Sequence, residues 1–233
     1  MSEQEPQYSD ILVSRRAGLL KTQRRRRLLA AIDAAELEKR PGARVLDLGC
    51  ADGILWPDIR DRVGTIVGTN YDDWLTQQCR RRWPEDILLR ADARRLPFAD
   101  ASFDLIFCLE AYHYIPFDDR VMGIQEMHRV LRPGGRLVLA VPIEVGVPGL
   151  IKFLMRVATR GCWPNVSAHF HHLWRRVCYK FVDIDERNRK INFHFDCWKL
   201  NRQTAEVFGG TRVRTTPFLY PFITNAIIAA DKR

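Results

Sequence analysis

Asp47, Gly49 and Gly53, and farther on Asp92, Glu110 and His113, are the residues of this chain whose types and spacing could do chemistry. The first three sit in VLDLGCADG, Val45 to Gly53. Three apolar residues and one acid lead straight into a glycine loop, and helix-forming sequence lies on both sides. A buried strand that ends in glycines lets a ligand approach the backbone closely. The bare amides of a following helix start favour a negative group. The pattern predicts a nucleotide-like or carboxylate-bearing ligand at the carboxyl end of the first strand. A nicotinamide-type loop calls for G-x-G-x-x-G. Here Gly49, Ala51 and Gly53 are spaced differently and Ile54 takes the third glycine position, which argues against a dehydrogenase.

The elements that must position these residues read as alternating strands and helices. A helical region ends at Arg40-Pro41-Gly42, a stop signal. Strands are predicted at Arg44–Leu48, Thr65–Thr69, Ile87–Arg90, Phe103–Cys108 and Arg136–Val141, with helical stretches between them. Pro133-Gly134-Gly135 reads as a tight turn into the fifth strand. A helix over Asn201–Phe208 is closed by Gly209-Gly210. Two more strands follow, Arg212–Thr216 and Asn225–Ala230. Such βαβ units build a parallel sheet. The expected fold is α/β: a Rossmann-like, seven-stranded, mostly parallel sheet with helices on both faces and an antiparallel last strand.

We expect one domain. Residues 1–42 form an N-terminal helical region, and 43–142 with 201–233 form the Rossmann-like core. Residues 143–200 are too long for a plain connection. They are rich in aromatics, among them Phe153, Trp163, Phe170, Trp174 and Phe195. An insertion there lies where open α/β sheets bind ligands, so this stretch reads as a substrate cap. In it, Leu150, Ile151, Phe153, Leu154 and Val157 could form one helical face, with Lys152, Arg156 and Arg160 on another. Such a helix packs on its own domain or makes peripheral contact with an anionic bilayer.

The 233 residues suffice for one large domain with a sizeable core. A formal net charge of +9 favours anionic partners without choosing among them. The six cysteines are scattered without a CxxC pair. With no secretory signal read at the N-terminus, we expect reduced thiols and a cytoplasmic setting. The run Arg24 to Arg27 is a solvated face or serves an anionic partner. His169, His171 and His172 suggest a metal, but only His169 and His172 would share a helix face. No carboxylate or cysteine at familiar spacing completes a site, so no metal is expected.

Taken in order, VLDLGCADG, TIVGTNYDD, LRADARRLPFADASFDLIFCLEAYHYIP and EMHRVLRPGGRLVLAVP resemble the class I S-adenosylmethionine-dependent methyltransferases of the small-molecule type, methyltransferase domain 11-like. The resemblance is strong over Arg44–Pro142 and weak over Asn201–Arg233, and leaves the cap uncovered. It implies S-adenosyl-L-methionine as methyl donor, held by Asp47, Gly49, Cys50, Ala51, Gly53, Asn70, Tyr71, Asp92, Ala93, Leu109 and Glu110. Asp47 would lie near the ligand's methionine ammonium, Asp92 and the Ala93 amide near the adenine, and Glu110 near the methionine end. Two positions depart from the family. Asn70 stands where an Asp or Glu usually accepts from both ribose hydroxyls, and Asn offers one acceptor oxygen and one donor group. Either Asp72 or Asp73 substitutes, or binding weakens. Ala51 stands where glycine is favoured.

Methyl transfer from a sulfonium is an in-line displacement for which the protein mainly supplies alignment and desolvation. A base is needed only if the acceptor must first lose a proton. His113, in the loop after the fourth strand, is the candidate; its alternative role is to orient that loop. The expected function is methyl transfer to a small-molecule or lipid-like acceptor, anionic if the cap arginines contribute. The charge suggests an RNA methyltransferase as the first alternative, against which the basic residues are dispersed and no RNA-binding module is visible. Asn70 and Ala51 suggest the second, a cofactor-binding protein without catalysis.

Overall fold

The computed structural model describes residues 19–143, 147–148, 195–216 and 225–233. Strands β1 (Arg44–Leu48), β2 (Thr65–Asn70), β3 (Ile87–Arg90), β4 (Phe103–Leu109), β5 (Leu131–Pro142), β6 (Arg212–Thr216) and β7 (Asn225–Asp231) form one seven-stranded sheet. Their order is β3-β2-β1-β4-β5-β7-β6. Neighbours from β3 through β5 are parallel, and β7 runs antiparallel to both β5 and β6. The chain steps outward from β1 through β2 to β3, then returns to place β4 on the other side of β1. This reversal opens a crevice beyond the carboxyl ends of β1 and β4, where ligands of open α/β sheets bind.

Helices α1 (Leu19–Ala35), α2 (Trp56–Ile59), α3 (Asp73–Arg82), α4 (Arg120–Val130) and α5 (Cys197–Phe208) cover the two faces. Alternation along each strand sends side chains to opposite cores. Leu46, Leu48, Ile106, Leu137, Leu139 and Ile228 pack with Met127 of α4 and Phe208 of α5. Val45, Ile66, Leu105, Phe107 and Val138 pack with Ala31 and Ile32 of α1, Trp56 and Ile59 of α2 and Cys79 of α3.

The helix ends follow from capping. The Asp72 carboxylate accepts from Leu75 N at 3.0 Å, and Arg80, Arg81 and Arg82 fill the last turn of α3, where positive charge suits the helix dipole. The Asp196 carboxylate accepts from Trp198 N and Lys199 N, and Gly209 at φ 78° closes α5. This cap starts α5 at Cys197, one turn earlier than the sequence pattern suggests. β5 also starts earlier. Its RPGG segment is absorbed into the strand as an irregularity, with a register shift on β4 between Phe103 and Leu105. Gly134, at φ 77°, donates its N–H to Lys232 O at 2.8 Å and keeps the segment paired.

At the amino end of β5, buried Arg136 ties the layers together. Its guanidinium bonds the Asp231 carboxylate at 2.6 and 2.9 Å, the Glu36 carboxylate at 2.8 Å and Ala34 O at 3.0 Å. Hydrogen bonds from Arg136 and then Lys39 hold the Glu36 carboxyl down at about 2. This network lies at the opposite end of the sheet from the crevice.

Most of the 143–200 cap, with the Leu150 helix and His169, His171 and His172, lies outside the described residues. Residues 217–224, between β6 and β7, do too.

Candidate active site

The glycine loop leaves β1 through three alternating left-handed residues: Gly49 at φ 75°, Ala51 at φ 52° and Gly53 at φ 73°. The Gly49 and Cys50 amides both donate to Thr69 O, at 2.8 and 3.0 Å, which pins the loop to the end of β2. A Cβ on Gly49 would sit 2.3 Å from Ala111 Cβ. The loop after β4 therefore packs directly on the glycine loop. Asn70, buried at the end of β2, bonds the loop twice. Its Oδ1 accepts from Ala51 N at 2.8 Å, and its Nδ2 donates to Ala51 O at 2.9 Å. The two departures from the family pattern are thus in contact. Asp72 caps α3, and Asp73 pairs with Arg90 at 2.9 Å, so both alternative acids also have local tasks.

Asp47 is 3% exposed and accepts from Trp56 Nε1 at 2.8 Å. Burial pushes its carboxyl up to about 7, and the Trp56 bond opposes that rise. Trp83 Nε1 donates to Asp52 O at 3.1 Å, and the two indoles stand 5.6 Å apart. A Cβ on Gly53 would meet Trp83 Nε1 at 2.5 Å and Trp56 Cδ2 at 3.1 Å. The indoles fill the space that glycine leaves, and so support the loop from below.

On the β3 side, Arg94 grips Asp92. Its Nε lies 3.0 Å from both carboxylate oxygens and its Nη2 2.7 Å from Oδ2, while Asp92 Oδ1 also accepts from Arg94 N at 2.9 Å. The Arg94 side-chain hydrogen bond, more than anything else, lowers the Asp92 carboxyl below the usual range and keeps it ionised. Arg94 also pairs with Asp119, which immediately precedes α4. Ala93 lies within this loop, and Tyr71, just past β2, is 66% exposed with its carbonyl accepting from Arg90 Nε.

On the β4 side, Leu109 ends the strand and Glu110 turns the chain at φ 58°. Its amide donates to Ala140 O at 2.8 Å and its carboxylate accepts from Asn225 Nδ2. Arg27 of α1 lies 3.6 Å from that carboxylate and donates to Asn225 Oδ1 at 3.1 Å. At least this member of the arginine run therefore serves the rim of the crevice. His113 is buried in a short turn over Tyr112–Tyr114, its ring 4.4 Å from Tyr114 and 5.9 Å from Phe195. Arg120 stacks on Phe195 at 4.9 Å. Tyr112 is fully buried, its hydroxyl donates to Arg120 O, and burial pushes its phenol up, so it does not serve as a base.

The predicted residues fall into three groups around one crevice: the glycine loop with Asp47 and Asn70, the Asp92 loop, and the Glu110–His113 loop. Trp56, Trp83, Arg94 and Asn225 join them without having been singled out in the sequence. Their signal is tertiary, because each meets its partner only after folding. The set fits S-adenosylmethionine. The left-handed loop exposes backbone where a Cβ would intrude, the buried acid Asp47 suits an ammonium, and ionised Asp92 suits an amino group. Asn70 Oδ1 keeps a second lone pair beyond its bond to Ala51 N, enough to accept from one ribose hydroxyl. Among the described residues there is no group of three or more His, Cys, Asp or Glu placed to hold a metal.

The fold and the three loops at the carboxyl end of its seven-stranded sheet make this crevice the candidate cofactor site. Residues 46–139 match the family described as Methyltransferase domain. The chain is similar to a demethylmenaquinone methyltransferase of Beutenbergia cavernae, 40% identical over 111 residues, 48% of this chain and 45% of that protein. It is similar to a 27-O-demethylrifamycin SV methyltransferase of Amycolatopsis mediterranei, 38% identical over 115 residues, 46% and 41% of the two chains. The chain thus spans about half the length, or less, of these relatives. Its fold matches magnesium protoporphyrin IX methyltransferase from Synechocystis PCC 6803, solved with bound SAH, at TM-score 0.63 and 14% identity over 97% of this chain and 93% of that one. It also matches a TehB-like SAM-dependent methyltransferase from Corynebacterium glutamicum, at TM-score 0.53 and 18% identity over 91% and 97%. Residues 46–139 thus carry the match to the methyltransferase family, and the whole sheet has the fold found in S-adenosylmethionine-dependent methyltransferases.

Proposed function

We propose that this protein transfers the methyl group of S-adenosylmethionine to a small-molecule or lipid-like acceptor. The observation that carries the acceptor reading is the wall beside the cofactor loop. Exposed Tyr114 packs on buried His113, which meets buried Phe195 edge-on, and Arg120 lies over the Phe195 ring. The exposed Tyr114 ring suits a ring-bearing or apolar acceptor, and the Arg120 guanidinium beside it suits an anionic edge. The relatives agree in kind, since their names describe demethylmenaquinone and rifamycin methyltransferases.

The donor, when bound, supplies an already activated methyl group. The chain's own residues do the rest. Gly49, Gly53 and Asn70 fix the loop that holds it, Asp47 meets its ammonium, and Asp92 meets its adenine. Glu110, held by Asn225, borders the methionine end. His113 takes a proton from an acceptor hydroxyl where one must leave. Residues 143–200 set acceptor choice. We place the protein in the cytoplasm; no described helix is long and apolar enough to cross a membrane.

The RNA reading gains little support from the arginines beside the crevice. Arg82 and Arg94 pair with Asp52, Asp92 and Asp119 of the same chain. The test is turnover of S-adenosylmethionine with a panel of quinols, phenols, acidic metabolites, lipids and structured RNA. Methylation of a small molecule or lipid supports the reading. Methylation of RNA alone overturns it, and S-adenosylhomocysteine binding without turnover on any acceptor favours the non-catalytic alternative.

A further inference from the structure

Trp56 is held in place by absence of side chains. Its ring lies where a Cβ on Gly68 of β2 would come within 2.6 Å of Cζ2, and a Cβ on Gly53 within 3.1 Å of Cδ2. Two glycines, one in a strand and one in the loop, thus form a slot for one indole. The ring is fully buried, and its N–H donates to Asp47 Oδ2 at 2.8 Å.

We propose that Trp56 is a positioning residue whose indole N–H favours the Asp47 carboxylate over the neutral acid, and through Asp47 sets the affinity and pH dependence of cofactor binding. This rests on the reading of Asp47 as the acid beside the cofactor's ammonium. A carboxylate in a nearly dry site is favoured as the neutral acid unless a donor stabilises its charge. Trp56 is that donor. Among the described residues, the other titratable groups that interact with Asp47 are the Cys50 and Cys108 thiols. A hydrogen bond with Cys79 and then burial push Cys50 up, and burial first pushes Cys108 up, so both stay neutral. Glu110 acts on Cys108 and adds no positive charge.

The linkage has a definite sign. With the Asp47 carboxyl raised to about 7, much of it is protonated in the ligand-free protein below that pH. An ammonium selects the carboxylate, so binding expels a proton there and affinity rises with pH through that range. Removing the indole N–H raises the carboxyl further and deepens the dependence.

The test compares ligand-free wild type with Trp56→Phe by carbon-detected NMR titration of the Asp47 carboxyl. Calorimetry of S-adenosylhomocysteine at about pH 6 and about pH 8.5, in buffers of different ionisation heat, gives affinity and proton release. Asp47 should titrate about one pH unit or more higher in the variant. Affinity should fall about tenfold at the lower pH and less than about twofold at the higher. Wild type should release about 0.9 proton at the lower pH, and Asp47→Asn none. Benzothienylalanine at position 56 keeps the two-ring shape without an N–H, and replaces Trp56→Phe should that variant not fold. An unchanged Asp47 titration overturns the proposal. A raised titration with an affinity loss equal at both pH values overturns the reading of Asp47 as the ammonium's partner, and with it the linkage.

Discussion

The Asn70 amide closes a ring with the Ala51 peptide, accepting from its N–H at 2.8 Å and donating to its carbonyl at 2.9 Å. Ala51 sits at φ 52°, a conformation that costs a side-chain-bearing residue about 1–2 kcal/mol. A carboxylate in place of the amide would accept the N–H but face the carbonyl without a donor. The residue that departs from the family at the end of β2 thus stabilises the one that departs in the loop.

Asn70→Asp is therefore expected to weaken the fold by about 1–2 kcal/mol and to loosen S-adenosylhomocysteine binding. Ala51→Gly is expected to stabilise by up to about 1 kcal/mol, because relief of the left-handed strain exceeds the entropy that glycine adds to the unfolded chain. Urea unfolding and titration calorimetry measure both. An Asn70→Asp variant that binds more tightly would mean that the ribose, and not the loop, sets the requirement at this position.

Gly49 and Ala111 should be energetically coupled. Gly49→Ala places a methyl group 2.3 Å from Ala111 Cβ at φ 75°, and should cost at least about 2 kcal/mol. Ala111→Gly removes the obstruction but not the backbone strain, so the double variant should recover part of that loss. A coupling of about 1 kcal/mol in a double-mutant cycle is expected, and strict additivity would contradict the packing.

Acid should act on the end of the sheet away from the crevice. Glu36 has its carboxyl lowered to about 2 in the folded protein, against about 4.3 when unfolded. A lowered acid contributes fully above the unfolded value, and the contribution fades as pH falls from there through about 2. Asp231, also lowered despite its burial by the Arg136 hydrogen bond, acts in the same direction. Unfolding free energy should thus decline steeply on this acid limb. Glu36→Gln should be less stable at neutral pH and show a shallower decline, as followed by denaturant titrations at stepped pH.

His113→Gln should lower kcat by about 10²-fold on an acceptor with a hydroxyl to deprotonate, leaving S-adenosylhomocysteine affinity near wild type. Parallel losses of affinity and stability would assign His113 to loop orientation. Replacing residues 149–194 with a short linker should remove turnover and spare cofactor affinity, since the loops built around Asp47, Asp92 and Glu110 all lie outside that stretch.

Most of the scaffold was legible because each strand couples an apolar run to a turn signal. β1, β3 and β6 fall at the predicted bounds, while β2, β4 and β7 each extend one residue further. The early start of α5 was signalled by Asp196, a capping residue overlooked beside a weak periodicity. Gly134 misled for a physical reason: glycine permits a turn, but here its left-handed backbone stays paired with Lys232 inside β5. The glycine loop, Asp47 and Asp92 could be read from short motifs. Trp56, Trp83 and Asn225 could not, since a buried indole looks like core until its N–H is seen to face a carboxylate, and Asn225 meets Glu110 across 115 positions. Asn70 and Ala51 each read as an isolated anomaly, because nothing in the order of residues shows that positions 19 apart share two hydrogen bonds.

β7 is held between β5 and β6, and β6 joins the sheet through β7 alone. Neither strand has a local partner in the parallel part of the sheet, so both must dock across a long closed loop. Such closure is entropically costly and slow. We expect β6 and β7 to condense late in folding and to open together early in native-state hydrogen exchange. Asn225, which fastens Glu110, arrives with β7. The rim of the crevice at Glu110 is therefore finished only when this last pair of strands docks. Cofactor should retard their opening, and protection of the β7 amides becomes a gauge of how completely the binding cleft has assembled.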